Sequence, residues 1–503
     1  MNCVERLVSL FGSQAEVARR FKLDRAVVSN WVKSGYVPAR WAMEVEVITE
    51  GQIAAVEVLD EANRRRPVRV KSRGEDEIFH GTSIAGSDTM ISFAPSKRIH
   101  SFHPPQRTLM GPGPTEIHPR VLTTMSQPAI GYLDPIFVEM MEELKGLLRY
   151  VYQTRNPLTF PVSGPGSVGM EYCFVNMVAP GDKVIVCING VFGGRMLENV
   201  VRCGGIPVIL EHEWGTPVDP NRVEEALKAN PETKVVAFVH AETSTGCLSD
   251  AKSIIEVAHR HGALTIMDAV TSLGGVPVLL DAWNADAVYS ASQKCLSCTP
   301  GLSPVSFSDR VVEHVKARKD KIHSWFMDMN LLLGYWGATN RTYHHTAPTN
   351  SLFALHEALL LIREETLEDC WARHRRHHVA LKTGLEAMGL HFLVKEEFQI
   401  PQMNAVRIPE AIAPKEAEVR KRLLNEFNLE IGAGLGPLAG KIWRFGTMGY
   451  SCRPENVMLC LSALGSVLSD MGMPVHVGDA EGAAHDAYAQ MHKAAAQQKK
   501  RAA

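Results

Sequence analysis

The chain has 503 residues, of which 45% are hydrophobic and 21% are charged, and its formal net charge is −2. This composition is that of a globular protein of about three domains, and the balanced charge excludes a bulk electrostatic attraction to nucleic acid or membranes. No apolar stretch approaches the roughly 20 residues of a membrane span, and the first residues lack the apolar core of a signal peptide. We therefore expect a cytoplasmic protein whose ten cysteines stay reduced.

Residues 1–66 predict a small all-α unit that contains a helix-turn-helix. Ser13 and Glu16 have the spacing of a capping box, in which each side chain accepts the other residue's backbone amide. A short turn leads to Asp24, which can cap a second helix over 25–33. Two short helices across such a turn resemble the Cro-type or YdaS-like repressor domains. The resemblance implies a DNA-reading face formed by Arg25, Ala26, Ser29, Asn30 and Lys33.

The alternative for residues 1–66 is a helical appendage that does not contact DNA. Up to Arg66 the chain holds ten Lys and Arg against nine Asp and Glu, whereas DNA affinity rests largely on neutralising phosphates. A basic segment follows and suits either a DNA-binding arm or a solvated linker. Its members are Arg64, Arg65, Arg66, Arg69, Lys71 and Arg73. The sequence leaves both interpretations open.

Residues 67–105 predict a linker, because they mix charged residues with Gly, Ser and Pro and show no helical or strand period. Met90 lies shortly before the part of the chain that carries the enzyme-like motifs. One hypothesis is that Met90 is the natural start of a shorter enzyme form, to which gene fusion has joined the first unit.

From residue 106 onward, strands alternate with helices, which predicts an α/β fold with a mostly parallel sheet between helical layers. A strand is predicted over 160–162, and the segment 163–167, reading SGPGS, then opens a helix. Such a turn presents free amides and a positive dipole end to a phosphate. Pro165 has no N–H, so Ser167 would have to supply both a hydroxyl and an amide.

Two residues at predicted strand ends indicate a site for a covalently bound cofactor. Lys294 follows the apolar segment 287–289 and has small polar neighbours that let another molecule approach. Partial burial there lowers an amine's pKa and makes it nucleophilic. Asp268 follows the predicted strand 264–267, at the kind of strand end where α/β sheets bind ligands. Because pyridoxal phosphate needs an acid beside its ring nitrogen, the two residues form a suitable pair for this cofactor. The alternative is that Lys294 is an ordinary solvated lysine and that Asp268 only ends a strand or caps a helix.

Several Cys and His residues are assigned to packing. Cys295 and Cys298 form a CxxC, but no second pair follows at metal-ligand spacing, so we expect no metal and place both thiols in a tight turn. His344 and His345 lack the spacing and partners of metal ligands and are assigned to packing or an interface. The segment 373–378, reading RHRRHH, predicts a solvated helix face.

Five short segments carry the strongest family signal: VHAETSTG (239–246), DAVTSLGG (268–275), SASQK (290–294), TYHHT (342–346) and GKIWRFGTMG (440–449). Together they resemble the alanine–glyoxylate and serine–pyruvate aminotransferases, which are class-V, fold-type I pyridoxal phosphate enzymes. The resemblance implies a large cofactor-binding domain over 106–350 and a smaller α+β domain over 351–471. The remaining residues, 472–503, are rich in Ala, Gln and Lys and predict a flexible tail.

The resemblance also implies roles for individual side chains. Lys294 would hold the cofactor's aldehyde as a Schiff base, Asp268 would keep the ring nitrogen protonated, and Phe192 would stack on the ring. Thr243 would bond the cofactor's 3′ oxygen. The cofactor-binding set that the resemblance implies is Gly166, Ser167, Phe192, Thr243, Asp268, Gln293, Lys294, Tyr343 and Thr346.

The resemblance extends to the substrate and to a second subunit. Arg444 aligns with the family's arginine for the substrate carboxylate, which a guanidinium fork can bind through two hydrogen bonds. Tyr343 and Thr346 align with a loop that reaches the phosphate of the neighbouring subunit. We therefore expect a homodimer whose active sites are shared between its two chains.

The implied reaction is a ping-pong transfer of an amino group from alanine or serine to glyoxylate, and the sequence does not fix the donor. A pyridoxamine–pyruvate type aminotransferase stays open, because Pro165 weakens the phosphate anchor. A transcription regulator with an aminotransferase-like body as its effector sensor also stays open, because of the helix-turn-helix and the linker. Cysteine desulfurases are disfavoured, because they place a His where this chain has Phe192 and because of the YHHT loop.

Overall fold

The computed structural model describes residues 2–38, 41–54, 57–58, 101–337 and 341–502. Internal contacts divide the chain into two units, Met1–Ser101 and Phe102–Ala503, which are described separately. Most of the predicted linker, with Met90 and the basic segment 64–73, lies outside the described residues. Among the helices of the described ranges, none has both the length and the apolar character that crossing a membrane requires.

The first unit is made of short helices: α1 (Cys3–Phe11), α2 (Gln14–Arg20), α3 (Arg25–Ser34) and α4 (Ala42–Ile48). The expected pair of helices across a short turn is α2 and α3. Asp24 caps α3, since its carboxylate accepts the Ala26 amide at 2.8 Å. Gly35 ends the helix in a left-handed conformation with a φ of 72°.

The predicted capping box at the start of α2 forms only by half. Ser13 Oγ accepts the Glu16 amide at 3.2 Å, as expected. The Glu16 carboxylate instead accepts a hydrogen bond from Arg19 Nε at 2.9 Å, because a guanidinium three residues along a helix competes for the same oxygens. The reciprocal box forms at α1, between Asn2 and Glu5.

The first unit buries one face of α3 and leaves the other open. Val28 and Trp31 lie in its core, where the Trp31 ring packs 5.9 Å from both the Phe21 and the Trp41 ring centroids. On the opposite face, the predicted DNA-reading residues are exposed or half-buried: Arg25, Ala26, Ser29, Asn30 and Lys33. The helical spacing of the apolar residues accounts for this division.

The second unit is built around a sheet of seven strands. Its first ten strands in chain order are β1 (Thr108–Leu109), β2 (Leu158–Ser163), β3 (Lys183–Ile188), β4 (Ile206–Glu211), β5 (Val235–Val239), β6 (Ala241–Glu242), β7 (Cys247–Leu248), β8 (Leu264–Asp268), β9 (Ala287–Tyr289) and β10 (Leu302–Phe307). The seven-stranded sheet has the order β2-β10-β9-β8-β5-β3-β4, and only β10 runs antiparallel to its neighbours. The predicted mostly parallel α/β sheet is confirmed.

Helices cover this sheet and build the C-terminal part of the unit. They are α5 (Pro119–Met125), α6 (Pro135–Tyr152), α7 (Gly166–Met177), α8 (Val191–Arg202), α9 (Pro220–Ala229), α10 (Ala251–Arg260), α11 (Leu280–Trp283), α12 (Asp309–Ala317), α13 (Met329–Leu332), α14 (Thr349–Glu365), α15 (Leu367–Ala387), α16 (Glu416–Phe427), α17 (Pro454–Asp470) and α18 (Val477–Ala502). Because the parallel strands share one direction, their carboxyl ends meet at one edge of the sheet, where α/β folds bind ligands.

The C-terminal part has its own antiparallel sheet and apolar core. Its strands are β11 (Met403–Arg407), β12 (Leu429–Glu430), β13 (Gly432–Ala433) and β14 (Ile442–Gly446). Strand β14 lies between β11 and β13, and β12 pairs in parallel with β1. Met110 joins this second core. Residues 110–114, which read MGPGP and are called the Gly/Pro arm, follow β1 and are therefore fixed to the C-terminal part.

The expectation of a flexible C-terminal tail is wrong, because these residues form α18. This helix packs against α15 and α17, and it buries Ala480 and Ala484 completely. Alanine is the strongest helix former, and Gly384 on α15 leaves room for a close approach to the α18 backbone. The same composition that indicated a tail therefore suits a closely packed helix.

The expectation of a solvated face over 373–378 is also wrong. His374, His377 and His378 are buried. His374 Nδ1 donates to the Cys370 carbonyl at 2.7 Å, and its Nε2 accepts the Gly449 amide at 2.9 Å. His377 and His378 follow His374 by three and four residues, so all three share the inner face of α15. The arginines between them, at 375 and 376, lie toward its outer side.

Candidate active site

A cavity of about 200 Å³ lies at the edge of the main sheet where the parallel strands end. It is lined by Pro165, Gly166, Ser167, Met170, Phe192, Arg195, Val239, Thr243, Asp268, Val270, Tyr289, Ala291, Gln293 and Lys294. These residues follow or end five different strands, β2, β3, β5, β8 and β9. The sheet therefore brings together residues that are far apart in the sequence.

Asp268 is the last residue of β8 and is only 3% exposed. Its Oδ1 accepts the Val270 amide and its Oδ2 accepts the Tyr289 hydroxyl, both at 2.7 Å. Burial raises the pKa of Asp268 to about 7, although these two hydrogen bonds act in the opposite direction. The group can therefore hold or share a proton near neutral pH.

Lys294 lies five residues after β9 and reaches into the same cavity. Its Nζ donates a hydrogen bond to the Pro112 carbonyl of the Gly/Pro arm. Burial and, to a smaller extent, the charge of Arg444 together lower the pKa of Lys294 to about 8. An amine with this pKa is partly neutral near physiological pH, and it can therefore act as a nucleophile.

The N-terminus of α7 forms one wall of the cavity. No side chain caps this helix, because Pro165 stands at its N-cap. Gly166 packs tightly there, since a Cβ at that position would lie 2.9 Å from the Ala291 Cβ. The amides of the first turn and the positive end of the helix dipole suit an anion such as a phosphate. Gly166 and Ser167, the predicted phosphate contacts, lie in this first turn and line the cavity.

The remaining predicted cofactor contacts of the same chain also line the cavity. Phe192 lies in the first turn of α8, with the Arg195 guanidinium 4.9 Å from its ring centroid. Thr243 follows β6, and its hydroxyl contacts the Thr271 hydroxyl. Gln293 Oε1 is buried and has no hydrogen-bond partner within the described ranges. An orphaned acceptor in a cavity wall indicates room for a polar ligand.

Arg444 lies on β14 and is 5% exposed. Its Nε donates to the Ala433 carbonyl at 2.7 Å, and its Nη1 donates to the Thr243 carbonyl at 3.3 Å. Burial lowers its pKa to about 10. Arg444 is not among the lining residues, but through Thr243 it is bonded to the cavity wall.

Tyr343 and Thr346 are not brought to this cavity. Tyr343 is 56% exposed, its ring lies 5.3 Å from that of Tyr132, and its hydroxyl is 3.4 Å from Thr346 Oγ1. Neither residue lines the cavity of its own chain. Their contact with the phosphate of a neighbouring subunit stays a prediction.

Sequence reasoning missed several residues of the site. Tyr289 holds the Asp268 carboxylate, and the signal for it was available, because the two residues end adjacent strands and are register partners. Arg195 follows Phe192 by three positions, the spacing of one helical face. The Pro112 carbonyl and the Glu242 carboxylate gave no such signal, because their contacts depend on the tertiary fold.

The residues present fit pyridoxal phosphate. The uncapped helix end suits its phosphate, the Asp268 carboxyl suits its ring nitrogen, and the Lys294 amine suits its aldehyde. The unpaired Gln293 oxygen leaves a further polar contact free. The described residues contain no group of three or more His, Cys, Asp or Glu that could hold a metal ion.

Comparisons with known proteins agree with this geometry. A family model described as aminotransferase class-V matches residues 133–436, and one described as bacterial toxin YdaS matches residues 4–61. The (S)-ureidoglycine–glyoxylate transaminase of Bacillus subtilis (strain 168) is 40% identical over 403 residues, which cover 76% of this chain and 96% of that protein. The alanine–glyoxylate aminotransferase of Mus musculus is 38% identical over 367 residues, which cover 72% and 88%.

A solved structure shares the fold as well as the sequence. The crystal structure of an alanine–glyoxylate aminotransferase from Nostoc sp. is 44% identical, has a TM-score of 0.72, and covers 74% of this chain and 98% of its own. The sheet, the cavity and these similarities define a fold-type I pyridoxal phosphate enzyme with a YdaS-like helical unit before it. The chain belongs to the class-V aminotransferase family, and it is a pyridoxal phosphate-dependent aminotransferase.

Proposed function

We propose that this chain transfers an amino group from alanine or serine to glyoxylate, in two half-reactions on one bound cofactor. The observation that carries the proposal is the meeting of the Lys294 amine and the Asp268 carboxyl in one cavity, with Arg444 bonded to its wall. The names of the three relatives above include glyoxylate as a substrate, at 38–44% identity over most of their length.

The cofactor contacts are assigned to the residues that line the cavity. When bound, pyridoxal phosphate supplies an aldehyde for amine exchange and a ring that draws electron density from the substrate's Cα–H bond. The amides of Gly166 and Ser167 would hold its phosphate, and Phe192 would cover one face of its ring. Asp268 would hold a proton at the ring nitrogen, and its Tyr289 hydrogen bond keeps the carboxylate in place.

Proton transfer and substrate orientation fall to two basic side chains. The neutral amine of Lys294 would accept the proton from the Cα of the amino donor and, in the second half-reaction, would supply a proton to the Cα of the new amino acid. Its pKa of about 8 permits both near neutral pH. The guanidinium of Arg444 would bind the substrate carboxylate, so that the Cα–H bond points to the amine.

The proposed active unit is a homodimer. Tyr343 and Thr346 would reach the phosphate in the partner's cavity, which agrees with the exposure of Tyr343 and with the absence of both residues from the lining of the cavity in their own chain. If they do so, each site is complete only when two chains meet.

A substrate panel with the purified, cofactor-loaded full chain tests the proposal. Alanine, serine and (S)-ureidoglycine are offered as donors with glyoxylate as acceptor, and pyridoxamine with pyruvate is run beside them. We expect turnover of alanine or serine with glyoxylate. Turnover confined to (S)-ureidoglycine, or to pyridoxamine with pyruvate, would replace the proposed reaction. No turnover in any arm would favour the effector-sensor alternative.

A second function, DNA binding by the first unit, is favoured by the distribution of its charges. Arg6 is paired with Glu57, and Arg19 and Arg20 are paired with Glu16. Lys22, Arg25 and Lys33 are exposed and form no ion pair within the described part of this unit. Unpaired cations on and beside α3 can neutralise phosphates.

A shift assay with DNA from the region upstream of the gene tests this second function. We expect the full chain to retard the DNA at low salt and the double variant R25A/K33A to lose most of that binding, while R375A, on the second unit, binds as the parent does. Retardation that is equal for the parent and R25A/K33A would assign the unit to another role.

A further inference from the structure

Glu242 is a buried carboxylate for which the proposed reaction has no use. It is 0% exposed. Its Oε1 accepts the Ser244 amide at 3.0 Å and the Ser244 hydroxyl at 2.6 Å, and its Oε2 accepts the Phe192 amide at 3.2 Å. A buried charge is costly unless it is bonded in this way. The presence of the Glu242 carboxylate therefore needs a structural explanation.

That explanation lies at the N-terminus of α8. The first amides of a helix have no partners within it, and the N-cap residue of α8, Gly190, has no side chain to supply one. The last residue of β6 and the turn that follows it supply these partners from outside the helix. Glu242 accepts the Phe192 amide, and Ser244 Oγ accepts the Val191 amide at 3.0 Å. Glu242 and Ser244 of the same chain thus cap the helix that carries Phe192.

The same turn also contacts Arg444, the residue proposed to bind the substrate carboxylate. Thr243, between the two capping residues, lines the cavity, and its carbonyl accepts a hydrogen bond from Arg444 Nη1 at 3.3 Å. The negative charge of Glu242 also favours the charged form of Arg444. One turn of three residues is therefore bonded to both Phe192 and Arg444.

We propose that Glu242 is a positioning residue, whose buried carboxylate fixes Phe192 at the cavity wall and, through Thr243, holds Arg444 in place. The inference rests on the proposed roles of Phe192 and Arg444. Gly190 is part of the same set of contacts, because a Cβ at that position would overlap the Glu242 carboxylate. Its φ of 176° is an extended conformation that any residue adopts, so what demands glycine is the close contact that a Cβ would make with Glu242 and with Ser244 Oγ.

Hydrogen exchange of the cofactor-free chain tests the capping contact. In E242A, the Val191 to Gly193 amides should exchange about tenfold faster, because they lose a buried acceptor. In E242Q, the amide oxygen can still accept the Phe192 N–H, but the NH2 group faces the Ser244 amide, so the exchange rate should lie between those of E242A and the parent. Unchanged exchange in a folded E242A would overturn the proposal.

The visible circular dichroism per bound cofactor reports how Phe192 holds the ring. We expect E242A to lower this signal and to weaken the affinity for pyridoxal phosphate about tenfold, and E242Q to restore part of both. If E242A exchanges faster but keeps the parent's signal and affinity, positioning is refuted. If even the parent binds no cofactor, the proposed function fails, and the exchange result still decides the capping contact.

A matched pair of glycine variants keeps the test decisive if E242A does not fold. G190A displaces the carboxylate and should reproduce the faster exchange and the weaker dichroism. G194A, in the same helix, places its Cβ where no atom lies within 4 Å, and should behave as the parent does. In the double variant E242A/G190A, we expect no loss beyond that of the worse single variant. Parent-like behaviour of G190A, or additive losses, would contradict the proposal.

Discussion

The cavity at the sheet edge and the inner face of α15 both bury titratable side chains, but with opposite results. In the cavity, burial brings the pKa values of Lys294 and Asp268 to about 8 and about 7, and both groups face open space. On α15, burial lowers the pKa values of His374 and His377 to about 3, and both rings are hydrogen-bonded to protein.

The difference lies in what surrounds the buried group. A shifted pKa alone marks burial, and structural networks produce it as readily as active sites do. Asp268 and Lys294 are hydrogen-bonded to protein as well, but they line a cavity, and the unpaired Gln293 oxygen lies in its wall. Around His374 each ring nitrogen has a backbone partner. Burial beside a cavity with an unpaired polar atom in its wall indicates chemistry, and burial within a packed helix face indicates support of the fold.

The largest expected effect comes from removing the amine. Lys294→Ala should abolish the borohydride-trapped adduct with pyridoxal phosphate and should lower transamination by about 10³-fold or more, because nucleophile and proton carrier are lost together. Mass spectrometry of the reduced, digested protein checks the adduct. A trapped adduct at another lysine would show that this other lysine, and not Lys294, binds the cofactor.

The next largest effect is expected from Asp268→Asn. The amide keeps an acceptor for Val270 but can no longer hold a negative charge at the ring nitrogen. We expect turnover to fall about 10²–10⁴-fold while the adduct at Lys294 still forms. Parent-like turnover would remove Asp268 from the proposed machinery.

The pH dependence should be smaller and should have a defined sign. The folded pKa of Lys294 lies near 8, below the usual value, so the neutral amine is scarce below that pH and dominant above it. The rate at which cofactor-free protein captures pyridoxal phosphate should therefore rise about tenfold between pH 7 and pH 9. Stopped-flow absorbance measures it, and a flat profile contradicts the assigned pKa.

A variant on α15 should affect stability and leave the adduct intact. His374→Ala leaves the Gly449 amide without its partner and should cost about 1–3 kcal/mol in the free energy of unfolding. The exposed Arg375→Ala, one residue away, should stay within about 0.5 kcal/mol. Urea titration gives both values. Loss of the adduct from folded His374→Ala protein would show that the two regions are not separate in function.

The sequence predicted the parts of the site that depend on local pattern. Asp268 ends one predicted apolar strand and Lys294 follows another. The turn over 163–167 predicted the N-terminus of α7. The parallel order of the strands followed from alternation with helices. These features need only neighbours in the chain, and a single sequence contains them.

The missed features depend on distant partners. Glu242 and the Phe192 amide lie 50 residues apart in the chain. The segment 373–378 was misjudged because its arginines outweighed a better signal, the spacing of His374, His377 and His378 along one helix face. The C-terminal residues were misjudged because their alanines find their partner on α15, far upstream.

The closing helix α18 has a practical consequence for anyone who shortens or extends this chain. Deletion from Val477 onward would remove Ala480 and Ala484 from the second core and leave the His377 ring without the Tyr488 hydroxyl, so the truncated product should aggregate. Purification tags on that side are better joined beyond residue 490, past Ala487, the last buried residue among those of this helix whose side chains the structure describes.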